Sequence, residues 1–256
     1  LFENDKIEKV GQNLKYDINV LTKYNVQVKG PLFDTMIAHY LIQPDMRHNM
    51  DLLAETYLGY KTVSIETLIG KKGKKQKTMR DIPQEEIVDY ACEDADITLR
   101  LKNQFEPKMN ATLKKLMDEI EIPLIPVLSA MEKEGINLDV PALAKFSEEL
   151  EISVTDLTTQ ILELSGEEFN LDSPKQLGEV LFDKMKIVEK AKKTKTGQYS
   201  TGEDVLSKLA SKHEIVPLIL EYRSLKKLKS TYVDALPELV NTADGKIHTT
   251  YMQTVA

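Results

Sequence analysis

The stretch that most constrains this chain is Tyr90–Leu101, YACEDADITLRL, late in a helix expected to open at Pro83. Proline suits a first helical turn, and Glu85 and Glu86 favour the positive end of the helix dipole. Ile87, Tyr90, Asp94, Ile97, Leu101 and Phe105 recur at three- and four-residue steps and so share one face. That face is apolar except at Asp94, and a carboxylate on a buried stripe is costly unless something pairs with it. A divalent metal is the simplest partner for several converging carboxylates. Tyr90, one turn earlier, aims its hydroxyl at the same place.

The 256 residues suffice for one large or two ordinary domains, and 41% hydrophobic with 29% charged residues describes a soluble globular protein. No apolar run reaches membrane-span length and no signal peptide is visible, so no membrane partner is expected. Starting at Leu1 rather than Met, the sequence reads as a piece of a longer protein. The single Cys92 excludes an internal disulfide, fits a reducing compartment and reads as a small packed residue. A net charge of −7 argues against non-specific coating of nucleic acid, but three basic clusters (71–77, 184–195 and 223–229) leave room for local grooves.

Residues 1–108 mix short strands and helices. A strand is expected over Glu8–Leu14, then a helix over Asp17–Tyr24 with Val20, Leu21 and Tyr24 inward, and a strand at Val26–Val28. Short helices follow at Asp34–Leu41 and Asp51–Leu58, each opened by an acidic cap. Residues 109–256 read as mostly helix. Asp118–Glu134 carries Pro123 and Pro126 and should kink before ending at Gly135. Ile136–Leu138 reads as a strand and Pro141–Leu164 as a long helix. Capping boxes at Ser173–Gln176 and Ser200–Glu203 open further helices. Lys186–Tyr199 is expected to be a flexible tip. A helix over Val216–Leu236 should bury Leu218, Tyr222, Leu225 and Tyr232, and Lys246–Ala256 alternates like a strand.

Asn13-Leu14-Lys15-Tyr16-Asp17 forms a second constellation. A strand ending near Leu14 puts Asn13 and Asp17 around a strand-to-helix corner, where α/β sites collect. Taken alone, Asp17 reads first as a helix cap, and Asp94 reads equally well as an ion-paired or partly exposed acid. In the last long helix, Arg223 and Lys227 sit one turn apart, with Lys229, Ser230 and Thr231 following. Cations and hydroxyls in a row suit a phosphate backbone, or an ordinary solvated face. The four histidines show no metal-ligand spacing.

NLKYD and the later Y-x-x-x-D resemble the second and third motifs of the 3′→5′ exonuclease superfamily that uses four acids and a tyrosine. FDTMIAHYLIQPDMRHNMDLLAETYL, IPQEEIVDYACEDADITLRL, EEFNLDSPKQLGEVLF, STGEDVL, LILEYRSLKKLKSTY and HTTYMQTVA, in that order, resemble the large fragment of bacterial family A DNA polymerases. The resemblance implies an incomplete ribonuclease H-like α/β exonuclease domain over 1–108. A mostly α-helical start of the polymerase domain, with its thumb, follows over 109–256.

It further implies Asp94 and Asp17 as metal ligands for Mg2+ (or Mn2+/Zn2+) and Tyr90 as the group that orients the attacking water. Asn13 and Arg47 would hold the trimmed strand, and Arg223, Lys227, Lys229, Ser230 and Thr231 would lie along DNA. The implied partners are primer–template DNA, single-stranded 3′ ends and, for the intact enzyme, dNTPs, in a nucleoid-associated protein of the bacterial cytoplasm. The family's first exonuclease motif and its palm aspartates are absent from this sequence, so the chain alone is expected to be catalytically incompetent. The alternatives are a non-catalytic DNA-binding scaffold and a tyrosine-type 3′→5′ exoribonuclease.

Overall fold

The computed structural model describes residues 1–255. The chain divides into two compact units. One is Leu1–Gly135 joined by the C-terminal segment from His248, and the other is Ile136–Ile247. The division falls at Gly135 rather than near residue 108, because the helical run after 108 packs back on the first helix of the chain.

In the first unit, strand β1 (Lys9–Gly11) leads through Asn13 into helix α1 (Leu14–Thr22). Strand β2 (Leu32–Asp34) returns parallel to β1, with Val10 opposite Phe33 and Gly11 opposite Asp34. The corner between β1 and α1 is tight: a Cβ on Gly11 would lie 2.3 Å from Leu14 Cδ2. Asn13 takes the left-handed conformation at φ 65°, which asparagine tolerates better than most residues.

Helices α2 (Thr35–Ile42), α3 (Met50–Leu58) and the short α4 (Ile65–Ile69) follow. The long α5 (Gln84–Phe105) starts immediately after Pro83. Its stripe behaves as its periodicity demands. Ile87, Tyr90 and Asp94 are half-buried, and Ile97, Leu101 and Phe105 are fully buried with Phe33, Ala38, Leu53 and Met117. Helices α6 (Ala111–Leu116) and α7 (Ile122–Glu134) are joined by a wide π turn, where the Ile122 N–H bonds five residues back to Met117. Pro123 and Pro126, which lack N–H donors, follow that turn directly.

The second unit opens and closes on one antiparallel pair, β3 (Ile136–Asn137) with the later Lys246–Ile247. Helix α8 (Val140–Ser165) is capped by Asp139, which accepts from the Ala142 N–H at 3.0 Å. Then come α9 (Pro174–Gly178), α10 (Glu203–Leu206), α11 (Ile215–Lys227), α12 (Ala235–Glu238) and β4 (Lys246–Ile247). Lys229 pairs with Glu151, and Ser147 donates to Asp234, so the α11 run lies antiparallel to α8. Val154, Leu157, Ile161, Leu177, Leu181, Ile215, Ile219 and Tyr222 form the core between them.

Several local expectations fail for identifiable reasons. Val26–Val28 has no strand partner, and Tyr24 is exposed beyond the end of α1. Asn49, not Asp51, stands at the cap of α3. Gln176 does not reach back to Ser173; its side chain instead accepts from the Asn170 N–H at 2.7 Å. Gly202, not Ser200, stands at the cap of α10. Cys92 is exposed on the outer face of α5. A π turn over Leu228–Val233 inserts one residue's rotation, so Val233 is buried where Tyr232 was expected. After Ile247 the C-terminal segment leaves its ladder. Residues 186–199 close as a small hairpin, with the Thr194 N–H on the Gln198 carbonyl and the Ser200 N–H on that of Lys192.

Candidate nuclease site and nucleic-acid groove

Asp34 organises the first unit's corner. It is 1% exposed and accepts four backbone N–H groups: Asn13 (3.2 Å), Leu14 (2.6 Å), Met36 (2.9 Å) and Ile37 (3.2 Å). One carboxylate thus caps two helices, α1 and α2. Burial pushes its pKa up, and the four N–H groups act against that.

Asp17 lies inside α1 and is not its cap. Its side chain lines a concave, mainly apolar hollow with Val10, Leu14, Ile18 and Leu21. Desolvation there pushes the Asp17 carboxyl up to about 6, with the charge of Asp34 adding to the rise. Asn13 is half-buried at the corner, and its side chain makes no capping bond. Arg47 is exposed on the segment before α3.

On α5, Tyr90 and Asp94 stand one turn apart, both half-buried, and each shifts the other's titration. Burial, then the Asp94 charge, pushes the phenol up to about 12, so it stays protonated at neutral pH. Burial raises the Asp94 pKa, the nearby Tyr90 hydroxyl lowers it, and Glu93 and Asp51 raise it further. Both of those acids are themselves engaged. Glu93 accepts from Tyr60 Oη at 2.7 Å and from the Val63 N–H at 2.8 Å, and Asp51 accepts from Thr62 at 2.7 Å.

Asp17 and Asp94 answer to different neighbours, Asp34 for the first and Tyr90, Glu93 and Asp51 for the second. Lys102, near the end of α5, pairs with Glu8, just ahead of β1. Ile97 and Leu101 pack in one cluster with Val10 and Phe33. The C-terminal half of α5 therefore packs on β1, and Asp94 lies about 12 Å nearer the start of the helix than Lys102.

Two acids do not make a metal cage. Among the described residues no group of three or more His, Cys, Asp or Glu side chains could hold a metal ion. Asp34, the obvious third acid, already accepts four N–H groups. The set present therefore does not fit a resident divalent ion by itself.

In the second unit, Arg223 and Lys227 line one groove with Ser224, Ser207, Leu228 and Tyr232. Arg223 is half-buried, and its guanidinium donates to the Thr201 carbonyl and to the Thr201 hydroxyl at 3.2 Å. Lys229 is engaged with Asp234 at 2.8 Å and Glu151 at 3.2 Å. Lys227, Ser230 and Thr231 are exposed.

Sequence reasoning missed three features. One is the second duty of Asp34, and another is a buried His39–His48 pair. The third is Lys15, which sits inside the quoted NLKYD stretch and is 7% exposed. The i, i+4 spacing of Lys15 and Asn19 was the available signal for the last.

Comparison with known proteins gives these observations a family. Residues 1–110 match the 3′-5′ exonuclease family and residues 140–256 match DNA polymerase family A. The chain is 45% identical to a DNA polymerase I from Pseudomonas aeruginosa, covering 100% of this chain and 28% of the relative. It is 43% identical to one from Synechocystis, covering 96% of this chain and 25% of that protein. The chain thus spans about a quarter of the length of these relatives. The structure superposes on the Pol1 POL domain from M. smegmatis, solved in complex with DNA primer-template and dNTP. That match has a TM-score of 0.77 at 30% identity and covers 100% of this chain and 41% of the other. With a 3′-5′ exonuclease segment followed by a polymerase segment, the chain belongs to DNA polymerase family A.

Proposed function

We propose that the intact protein is a DNA-directed DNA polymerase that extends primers on a template and trims mispaired single-stranded 3′ ends by phosphodiester hydrolysis. Its substrates in this reading are primer–template DNA, single-stranded 3′ ends and dNTPs, and its place is the bacterial nucleoid. No helix among the described residues is long and apolar enough to cross a membrane. What supports the nuclease part is the Tyr90–Asp94 pair, one turn apart on the half-buried face of α5, together with Asn13 and Asp17 at the turn from β1 into α1. A phenol kept protonated beside a carboxylate donates to that carboxylate, and its oxygen can accept a hydrogen from the attacking water and so orient it.

The divalent ion such hydrolysis uses would need acids beyond those this sequence carries, since Asp17 and Asp94 alone do not enclose one. In this reading Asn13 and Arg47 steady the strand being trimmed. Arg223 and Lys227, with Lys229, Ser230 and Thr231 beyond them, follow the duplex backbone. Degradation of a 3′-labelled oligonucleotide by the full-length protein and by Asp94→Ala tests the nuclease part. A loss of at least about 100-fold is expected, and equal rates would refute it. The isolated 256-residue chain is expected to show neither activity.

A second reading, a DNA-binding scaffold without nuclease chemistry, is favoured by the absence of a metal-capable group among the described residues. It predicts binding without cleavage in the same assay. An exoribonuclease leaves the polymerase match over 140–256 without an explanation.

A further inference from the structure

Glu132 of α7 sits under α1 with its side chain 10% exposed, facing a Lys15 side chain that is 8% exposed. One carboxylate oxygen, Oε1, accepts from Lys15 Nζ and from the Tyr251 N–H at 2.8 Å. The other, Oε2, accepts from Asn19 Nδ2 at 2.6 Å. Lys15 also donates to the Tyr251 carbonyl, which closes a ring through three chain segments. The Ser129 hydroxyl donates to Asn19 Oδ1 at 2.5 Å. Burial acts to raise the Glu132 pKa, but the Lys15, Tyr251 and Asn19 bonds outweigh it and hold the carboxyl below its usual range.

Such a ring is a poor device for stability alone. Apolar side chains of similar volume would hold the same elements as well or better. What it supplies is register. Lys15 and Asn19 stand one turn apart on α1 and grip opposite oxygens of one carboxylate, which fixes both the rotation and the advance of the helix. Asp17 lies between them, and Asn13 lies two residues before Lys15.

We propose that Lys15 and Glu132 are positioning residues for 3′-end cleavage, locking α1, and with it Asn13 and Asp17, onto α7 and the backbone of Tyr251. The proposal rests on the nuclease reading above. Tyr251 lies within the segment that matches the polymerase family, so the setting of a nuclease helix depends on backbone from the synthetic half of the sequence.

The test uses the full-length protein carrying Lys15→Met, Glu132→Gln, Lys15→Arg and the double variant K15M/E132M, which leaves no buried charge unpaired. Three readouts are taken: steady-state cleavage of a single-stranded oligonucleotide, template-directed incorporation, and amide exchange across Leu14–Thr22. Lys15→Met, Glu132→Gln and the double variant should lower cleavage kcat by about 10- to 100-fold. KM should stay within about threefold and incorporation should be unchanged. Exchange in α1 should rise by about tenfold or more, and Lys15→Arg should recover most of the rate.

Unchanged α1 exchange, or loosened α1 with parental kcat, would overturn the proposal. So would a double variant that regains full cleavage, because the ring would then be a packing device. A parental protein that incorporates nucleotides but cleaves nothing, while α1 still loosens in Lys15→Met, would instead sink the nuclease reading and leave the tie between the segments standing.

Discussion

His39 and His48 show how much a single pair can contribute once both members are out of water. His39 Nδ1 lies 2.7 Å from His48 Nδ1, and His39 Nε2 lies 3.0 Å from Tyr57 Oη. With both rings neutral, Tyr57 can donate to His39 Nε2 and His39 Nδ1–H to His48 Nδ1. Burial, then the His48 and Lys108 charges, lowers the His39 pKa to about 4, and burial lowers that of His48. The folded state therefore refuses protons that the unfolded chain accepts from pH 6.5 downward. Stability from this pair is complete above about pH 6.5 and is lost as pH falls toward about 4. The urea midpoint of the first unit should drop across that window. His39→Gln, which keeps a donor and an acceptor but does not titrate, should flatten the drop; an equally steep drop in the variant would rule this pair out as the cause.

At the scale of elements, α5 is the best test of whether periodicity translates into energy. Leu101 is 0% exposed, whereas Leu99, two residues away on the same helix, is 52% exposed. Leu101→Ala should cost about 2–5 kcal/mol in denaturant unfolding and Leu99→Ala within about 0.5 kcal/mol. Similar losses at both positions would mean the helix does not bury the face its spacing defines.

This face was legible because 22 residues of one helix repeat a single pattern. The Asp34 cap was legible because an acid before a helix has one common use. Its second duty, to α1, depends on β2 lying beside β1, and a three-residue strand leaves almost no periodic trace. The π turns were illegible for a related reason. Each shifts a face by one residue without changing composition, so Tyr232 looked buried and Val233 did not. Cys92 and Gln176 were misread because small size and a box-like spacing are compatible with several environments. Within the candidate site, Asn13, Asp17, Tyr90 and Asp94 stood out as residue types at a spacing. Lys15 did not, because its partners Glu132 and Tyr251 are more than a hundred residues away.

For the molecule as a whole, a net charge of −7 means that a polyanion is repelled at long range and can be held only where local cations face it. In the second unit the lysines and arginine of the 223–229 run divide by the work they already do. Lys226 and Lys229 have acidic partners, and Arg223 is fixed to Thr201. Lys227 is exposed on the rim of the groove that Arg223, Ser224 and Tyr232 line. The two neighbours should therefore respond differently to truncation. Lys227→Ala should leave the unfolding midpoint unchanged, weaken primer–template binding whatever the sequence, and reduce the salt slope of log K by about one. Arg223→Ala should weaken binding and also destabilise the second unit by about 1.5–3 kcal/mol, because the Thr201 carbonyl and hydroxyl lose a charged donor. An Arg223→Ala protein with parental stability would show that the bonds to Thr201 give way freely to a phosphate. A Lys227→Ala protein with parental salt slope would move the DNA track off this groove altogether.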